Sequence, residues 1–256
     1  MNSVSLEGKK GLVVGIANAD SLAYGCALAF RRLGAELAVT YLNDKARPHV
    51  EPLVQELQAP IFLPCDVREP GKLEAVFERV RREWGRLDFL LHAIAFAPKE
   101  DLHSRVVDCS QAGFALAMDV SCHSFIRMAR LAEPLMTEGG CLLTLTFYGS
   151  EKVVEHYNLM GPVKAALESV VRYMAAELAP RGIRVHALSP GPVKTRAASG
   201  IDRFDELLEQ YAARAPLHHL VGLEDVGAVA AFLVGDWAKS LTGSTTYIDA
   251  GYHIID

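Results

Sequence analysis

The chain has 256 residues, of which half are hydrophobic and 22% are charged, and its net charge is -5. That is apolar side chain enough for a full core, and it is not the composition of a disordered chain. Acids and bases are interspersed, so no basic face offers counterion release on a polynucleotide and nucleic acid is not an expected partner. The longest apolar runs, residues 11–17 and 89–97, fall short of the roughly 18 residues of a bilayer span, so no membrane crossing is expected.

Residues 1–10 lack the apolar stretch and small-residue cleavage site of a secretory signal, which points to a cytoplasmic location. Cys26, Cys65, Cys109, Cys122 and Cys141 are odd in number and far apart. They match neither a disulfide framework nor a metal-ligand pair, and are expected to be reduced and mostly buried.

Runs rich in β-branched and aliphatic residues recur at 11–14, 36–40, 61–63, 89–94, 141–147, 184–188 and 245–248, and predict seven strands. Between them lie amphipathic stretches, such as 22–33 and 72–84, with apolar residues every three or four positions. Near-continuous apolar strands alternating with helices predict an α/β fold, a doubly wound seven-stranded parallel sheet with helices on both faces. No linker, repeat or low-complexity segment interrupts the series, so a single domain over 1–256 is expected.

Gly15-Ile16-Ala17-Asn18-Ala19-Asp20-Ser21-Leu22 joins the first strand to the first helix. A glycine there lets the backbone approach a pyrophosphate, and the open amides and dipole of the helix favour its charge. The spacing departs from the three-glycine dinucleotide fingerprint, and an ordinary strand-to-helix turn reads the same from this segment alone. After the second strand, Tyr41-Leu42-Asn43-Asp44-Lys45 is placed to meet an adenosine ribose. No arginine stands directly there, which favours NADH over NADPH, with Lys45 and Arg47 keeping NADPH open. Cys65-Asp66-Val67 ends the third strand, where Asp66 can accept from an adenine amino group. His92-Ala93-Ile94-Ala95 ends the fourth with small residues on which a ribose can pack.

Tyr157 and Lys164 follow the fifth strand. Seven residues are about two helical turns, so a helix beginning early enough would bring both to one side. A nearby ammonium stabilises charge on a phenol oxygen, making it a better proton donor or oxyanion stabiliser. An isolated pair of this kind is equally an ordinary helix surface. Residues 190–219 break the βα rhythm, opening with Pro190-Gly191-Pro192 and continuing through a helix-prone stretch at 197–215, and are read as a lid over the carboxyl ends of the strands. His103, His123, His156, His218 and His219 form no metal spacing, and no metal is expected.

In this order the pieces resemble the short-chain dehydrogenase/reductase superfamily, and more narrowly the bacterial enoyl-acyl-carrier-protein reductases. The marks are Gly15 to Ser21-Leu22, Cys65-Asp66-Val67, the run from His92 to Pro98, Tyr157-Asn158-Leu159-Met160 before Lys164, and Ser189-Pro190-Gly191-Pro192-Val193-Lys194-Thr195. Common short-chain reductases separate tyrosine and lysine by three residues, whereas the six here are those of the enoyl reductase branch.

The resemblance implies a Rossmann-type fold and reduction of the trans-2 double bond of an enoyl thioester, carried by acyl carrier protein or coenzyme A. Tyr157 would bind the thioester carbonyl and Lys164 the nicotinamide ribose. It implies cofactor contacts at Gly15, Ser21, Leu22, Leu42, Asp66, Val67, Ala93, Ile94, Ala95, Lys164, Val193 and Thr195. Substrate contacts would come from Phe96, Ala97, Phe147, Tyr148 and Tyr157, and the assembly would be a homotetramer.

Two departures stand out. The family usually carries a second tyrosine ten residues before the catalytic one, and Phe147 stands there. Tyr148 is next to it, but neighbouring strand positions face opposite ways, so it replaces that hydroxyl only if the turn reorients it. In Asp202-Arg203-Phe204-Asp205-Glu206 three of five residues are acidic, which disfavours an acidic carrier protein and leaves coenzyme A thioesters open. The alternatives are a short-chain carbonyl or ketoacyl reductase and a non-catalytic NAD(H)-binding sensor.

Overall fold

The computed structural model describes residues 5–195 and 203–255. In chain order its main elements are β1 (Lys10–Val14), α1 (Leu22–Arg32), β2 (Glu36–Tyr41), α2 (Arg47–Glu56), β3 (Ile61–Pro64), α3 (Lys72–Trp84) and β4 (Phe89–His92). They continue with α4 (Lys99–His103), α5 (Gln111–Met118), α6 (Ser124–Ala132), β5 (Gly140–Leu145), α7 (Met160–Leu178), β6 (Ile183–Pro190), α8 (Phe204–Arg214), α9 (Leu223–Val234) and β7 (Thr245–Ile248). All seven strands join one parallel sheet in the order β3-β2-β1-β4-β5-β6-β7. The order reverses between β1 and β4, and a doubly wound sheet opens its ligand crevice at such a reversal.

Alternation along each strand divides the core between the two faces. Leu12, Val14, Ala38, Leu90 and Leu142 pack with α3, α6 and α7. Val13, Leu37, Val39, Phe89, Leu91, Cys141 and Leu143 pack on the other face with α1, α2 and α9. Both faces being apolar is why the strands read as continuous hydrophobic runs. Where α1 crosses α9, a Cβ on Gly227 would stand 2.6 Å from the Gly25 carbonyl oxygen, so the crossing admits only glycine there.

The strands end earlier than the apolar runs. β4 stops at His92 and β5 at Leu145, two residues short of 94 and of 147. One further backbone bond follows each end, from the Ala93 amide to the Val14 carbonyl and from the Thr146 amide to the Leu188 carbonyl, both at 2.8 Å, before the chains part at the crevice. Within 190–219, residues 191–195 are irregular and α8 covers Phe204–Arg214; residues 196–202, Asp202 among them, lie outside the described residues.

Candidate active site

A cleft of about 770 Å³ runs along the carboxyl ends of β1, β4, β5 and β6. Gly15, Ser21 and Leu22 line one end, Ala93 to Ala97 the floor, and Phe147, Tyr157, Lys164, Val193 and Thr195 the other end. Most of the predicted contacts therefore meet on one surface. Leu42, Asp66, Val67 and Tyr148 are outside its lining.

At the first βα turn, Gly15 has a φ of +119° and a Cβ there would stand 2.2 Å from the Ala93 carbonyl oxygen. Only glycine lets β1 and β4 approach so closely. The Ser21 side chain does not cap α1; its hydroxyl donates to the Asn18 carbonyl at 2.7 Å. The first-turn amides of Leu22 and Ala23 are thus left facing the cleft. An open pair of amides at a helix start beside an obligatory glycine suits a pyrophosphate. Further along, the backbone of Phe96 is pinned by Ser121, whose hydroxyl accepts from its amide at 2.9 Å and donates to its carbonyl at 3.1 Å.

The Asp66 carboxylate is already bonded by Arg68, with Nε 2.9 Å from Oδ1 and Nη2 2.5 Å from Oδ2. That bond holds its pKa below the usual carboxylate value. The Arg68 guanidinium also lies over the Phe96 ring at 5.7 Å, so an adenine entering there would meet both groups. Leu42 is half exposed beyond β2. Arg47 is paired with Glu51 at 2.9 Å and packs over Tyr41.

At the reactive end, α7 begins at Met160, after Tyr157. Helical periodicity therefore does not place the pair on one side; a turn does. His156 and Asn158 both adopt left-handed φ, +64° and +40°, at a cost of about 1–2 kcal/mol per residue. The Asn158 side-chain amide donates to the Leu102 carbonyl at 2.8 Å and anchors the turn. A Cβ on Gly149 would stand 2.5 Å from the Tyr157 ring, so the absence of a side chain there makes room for the phenol.

Burial raises the pKa of Tyr157, and the Glu168 charge raises it further. The phenol is therefore a neutral hydrogen-bond donor rather than a phenolate precursor. Lys164 is 5% exposed and donates to the Leu145 carbonyl at 2.7 Å. Burial lowers its pKa to about 8.

Sequence reasoning missed the support beneath this pair. Glu168, one turn after Lys164 on α7, is buried and accepts from the hydroxyls of Thr146 and Ser150, both at 2.6 Å. The four-residue spacing from Lys164 was the available signal. His92 is buried with its ring nitrogens 2.8 Å from the Thr144 and Ser124 hydroxyls, and burial lowers its pKa to about 3, so it is neutral. Phe147 presents its ring edge-on to Tyr157 at 4.9 Å. Tyr148 turns away into a cluster with Tyr247 and Tyr252. The turn thus does not carry its ring to the cleft.

A model of the family described as "Enoyl-(Acyl carrier protein) reductase" matches residues 15–253. The chain belongs to this family. An enoyl-[acyl-carrier-protein] reductase [NADH] of Rhizobium meliloti is 46% identical over 250 residues, covering 98% of this chain and 92% of that one. The corresponding enzyme of Aquifex aeolicus is 44% identical over 251 residues, covering 98% and 93%.

Among solved structures, the enoyl-acyl-carrier-protein reductase of Anaplasma phagocytophilum, in complex with NAD, superposes with a TM-score of 0.95 at 46% identity, over 100% of this chain and 98% of that one. The Bacillus cereus reductase, in complex with NADP+ and an indole naphthyridinone, gives 0.95 at 42% identity, over 98% of each chain. As an enoyl-acyl-carrier-protein reductase family member the chain is an oxidoreductase.

Among the described residues no three His, Cys, Asp or Glu groups converge as a metal site, and no helix is long and apolar enough to cross a membrane. Cys26, Cys65, Cys122 and Cys141 are buried free thiols; burial pushes Cys26 and Cys141 up to about 12 and holds them inert.

Proposed function

We propose that this protein reduces the trans-2 double bond of enoyl thioesters with NADH, as the double-bond reduction of fatty-acid synthesis. The observation that carries this reading is the convergence of Tyr157 and Lys164, separated by six residues in sequence, at one end of a cleft whose other end is the Gly15 turn. When bound, the nicotinamide would supply hydride to the β-carbon, and the resulting enolate would take a proton from solvent at the α-carbon. Gly15, Ser21, Leu22, Ala93, Ile94 and Ala95 hold the cofactor backbone, with Val193 and Thr195 at the nicotinamide. Leu42, Asp66 and Val67 border its adenosine half.

Lys164 binds the ribose hydroxyls by exchanging its Leu145 carbonyl contact, and its positive potential favours charge building on the enolate. Tyr157, kept neutral by burial, donates to the thioester carbonyl, so the oxyanion meets a donor already in place. Phe96, Ala97 and Phe147 border the acyl chain, and Tyr148 supports the Phe147 turn. Residues 190–219 act as the lid; Lys194 and Asp205, paired at 3.0 Å, tie the strand-six loop to α8.

NADH is favoured over NADPH because Asp44 in the β2 turn repels a 2'-phosphate and Arg47 is already paired with Glu51. The acyl group arrives on acyl carrier protein or coenzyme A, the working assembly is a homotetramer, and the site of action is the cytoplasm. The test is spectrophotometric. Oxidation of NADH with crotonyl-CoA is expected, and turnover of acetoacetyl-CoA alone would instead show a ketoacyl reductase. Nicotinamide binding with no turnover of either would leave the sensor reading.

A further inference from the structure

Tyr211 has a buried hydroxyl that the reading above leaves unused. It sits on α8 seven residues after Phe204, so the two share a helix face, and Phe204 lines the cleft. The Tyr211 ring stacks on Tyr252, 3.6 Å between centroids at 11°, and lies 6.4 Å from Phe147 at 26°. Phe147 itself lines the cleft and meets Tyr157 edge-on. Arg214 covers the Tyr252 ring at 5.7 Å, which fixes the stack from outside. Tyr211 is 2% exposed, and among the described residues its hydroxyl has no hydrogen-bond partner.

A hydroxyl taken from water without a partner carries a desolvation penalty that folding alone does not return. Tyr211 does not itself line the cleft but lies against Phe147, which does, so a ligand reaching past that ring would complete the hydroxyl. Burial, followed by the neighbouring Tyr252 and Asp249, raises its pKa, so it stays protonated and able to donate. Tyr148 and Tyr157 also face it closely enough to act on it electrostatically.

We infer that Tyr211 is a substrate-binding residue whose hydroxyl donates to the thioester end of the bound enoyl group, standing in for the phenol that Phe147 lacks. The inference rests on the enoyl reductase reading. The ring is held by Tyr252 and Phe147 before substrate arrives, so the donor needs little ordering on binding.

The test is steady-state kinetics on the full chain with crotonyl-CoA and NADH, for the unaltered protein, Tyr211→Phe, and Tyr211→Phe combined with Phe147→Tyr. In Tyr211→Phe the KM for crotonyl-CoA is expected to rise about three- to tenfold, the size of one neutral hydrogen bond. The KM for NADH and the thermal midpoint should hold, because no bond within the protein is lost. Adding Phe147→Tyr returns a phenol to the cleft and should recover most of the loss. An unchanged crotonyl-CoA KM in an active protein overturns this inference alone, as does a drop in thermal midpoint that accompanies the loss and persists in the double variant. Absence of turnover in the unaltered protein overturns the enoyl reductase reading and this inference with it.

Discussion

Between Gly15 and Ala93 the two strands come so near that a single methyl group would overlap a carbonyl oxygen, whereas between Thr146 and Glu168 the space is filled by side chains whose polar ends all find partners. The cofactor end is shaped by what backbone permits, and the reactive end by what burial does to titratable groups. One end is thus intolerant of added atoms, and the other of changed charge or lost donors. Substitutions can test that contrast from both sides.

The largest effect is expected at the reactive end from Tyr157→Phe. It removes the donor to the developing oxyanion while keeping the ring that packs on Phe147. Losing one preorganised donor of this kind costs about 10²–10³ in kcat. NADH affinity, measured by fluorescence titration, should stay within about twofold. A comparable loss of cofactor affinity would show that the phenol shapes the whole cleft and would erase the contrast between its ends.

At the cofactor end, Gly15→Ala is the matching experiment. The added Cβ meets the Ala93 carbonyl oxygen at 2.2 Å in a residue with φ of +119°. Overpacking and a left-handed alanine together are expected to cost about 2–5 kcal/mol in denaturant titration. NADH binding should fall with it. Retained stability would mean that β1 and β4 separate easily, and the crevice would then be softer than its glycine implies.

Much of the fold was legible because it rests on local patterns. Leu12 and Val14 against Val13 show the two-faced alternation, and Lys72–Trp84 shows the helical one. Gly15 stood out because only glycine serves a close approach. The reactive turn was not legible in the same way. Nothing in the spacing of Tyr157 and Lys164 says that α7 starts at Met160, because the turn with left-handed His156 and Asn158 is anchored by distant partners, Asn158 on Leu102 and the Tyr157 ring over Gly149. Glu168, Thr146 and Ser150 likewise meet only after β5 is laid against α7. The Arg68 clasp on Asp66 needs a rotamer as well as a sequence.

Glu168→Gln probes the buried charge beneath the pair. Thr146 and Ser150 would lose a charged acceptor, at an expected cost of about 1–3 kcal/mol in the same titration. The pH dependence gives a sharper reading. Lys164 must be protonated to donate to the ribose, and burial places its pKa at about 8, so kcat/KM for NADH should fall above that pH. Glu168 raises this pKa, so its neutralisation should move the alkaline limb to lower pH. The stability sign is opposite to that of a favourable ion pair. Folding lowers the lysine from about 10.4, so the unfolded chain holds the extra proton between there and about 8, and stability rises with pH in that window.

The smallest effect is expected from Arg47→Ala, and it tests whether the adenosine end discriminates cofactors by an available cation. Arg47 is exposed, paired with Glu51 at 2.9 Å and lying over the Tyr41 ring. Its charge is therefore already answered, and screening by solvent leaves little for a 2'-phosphate. The ratio of kcat/KM for NADH to that for NADPH should change by less than about threefold. A collapse of NADPH use in this variant would show that Arg47 leaves Glu51 to meet the phosphate. The adenosine end would then be governed, like the reactive end, by the charges of its side chains.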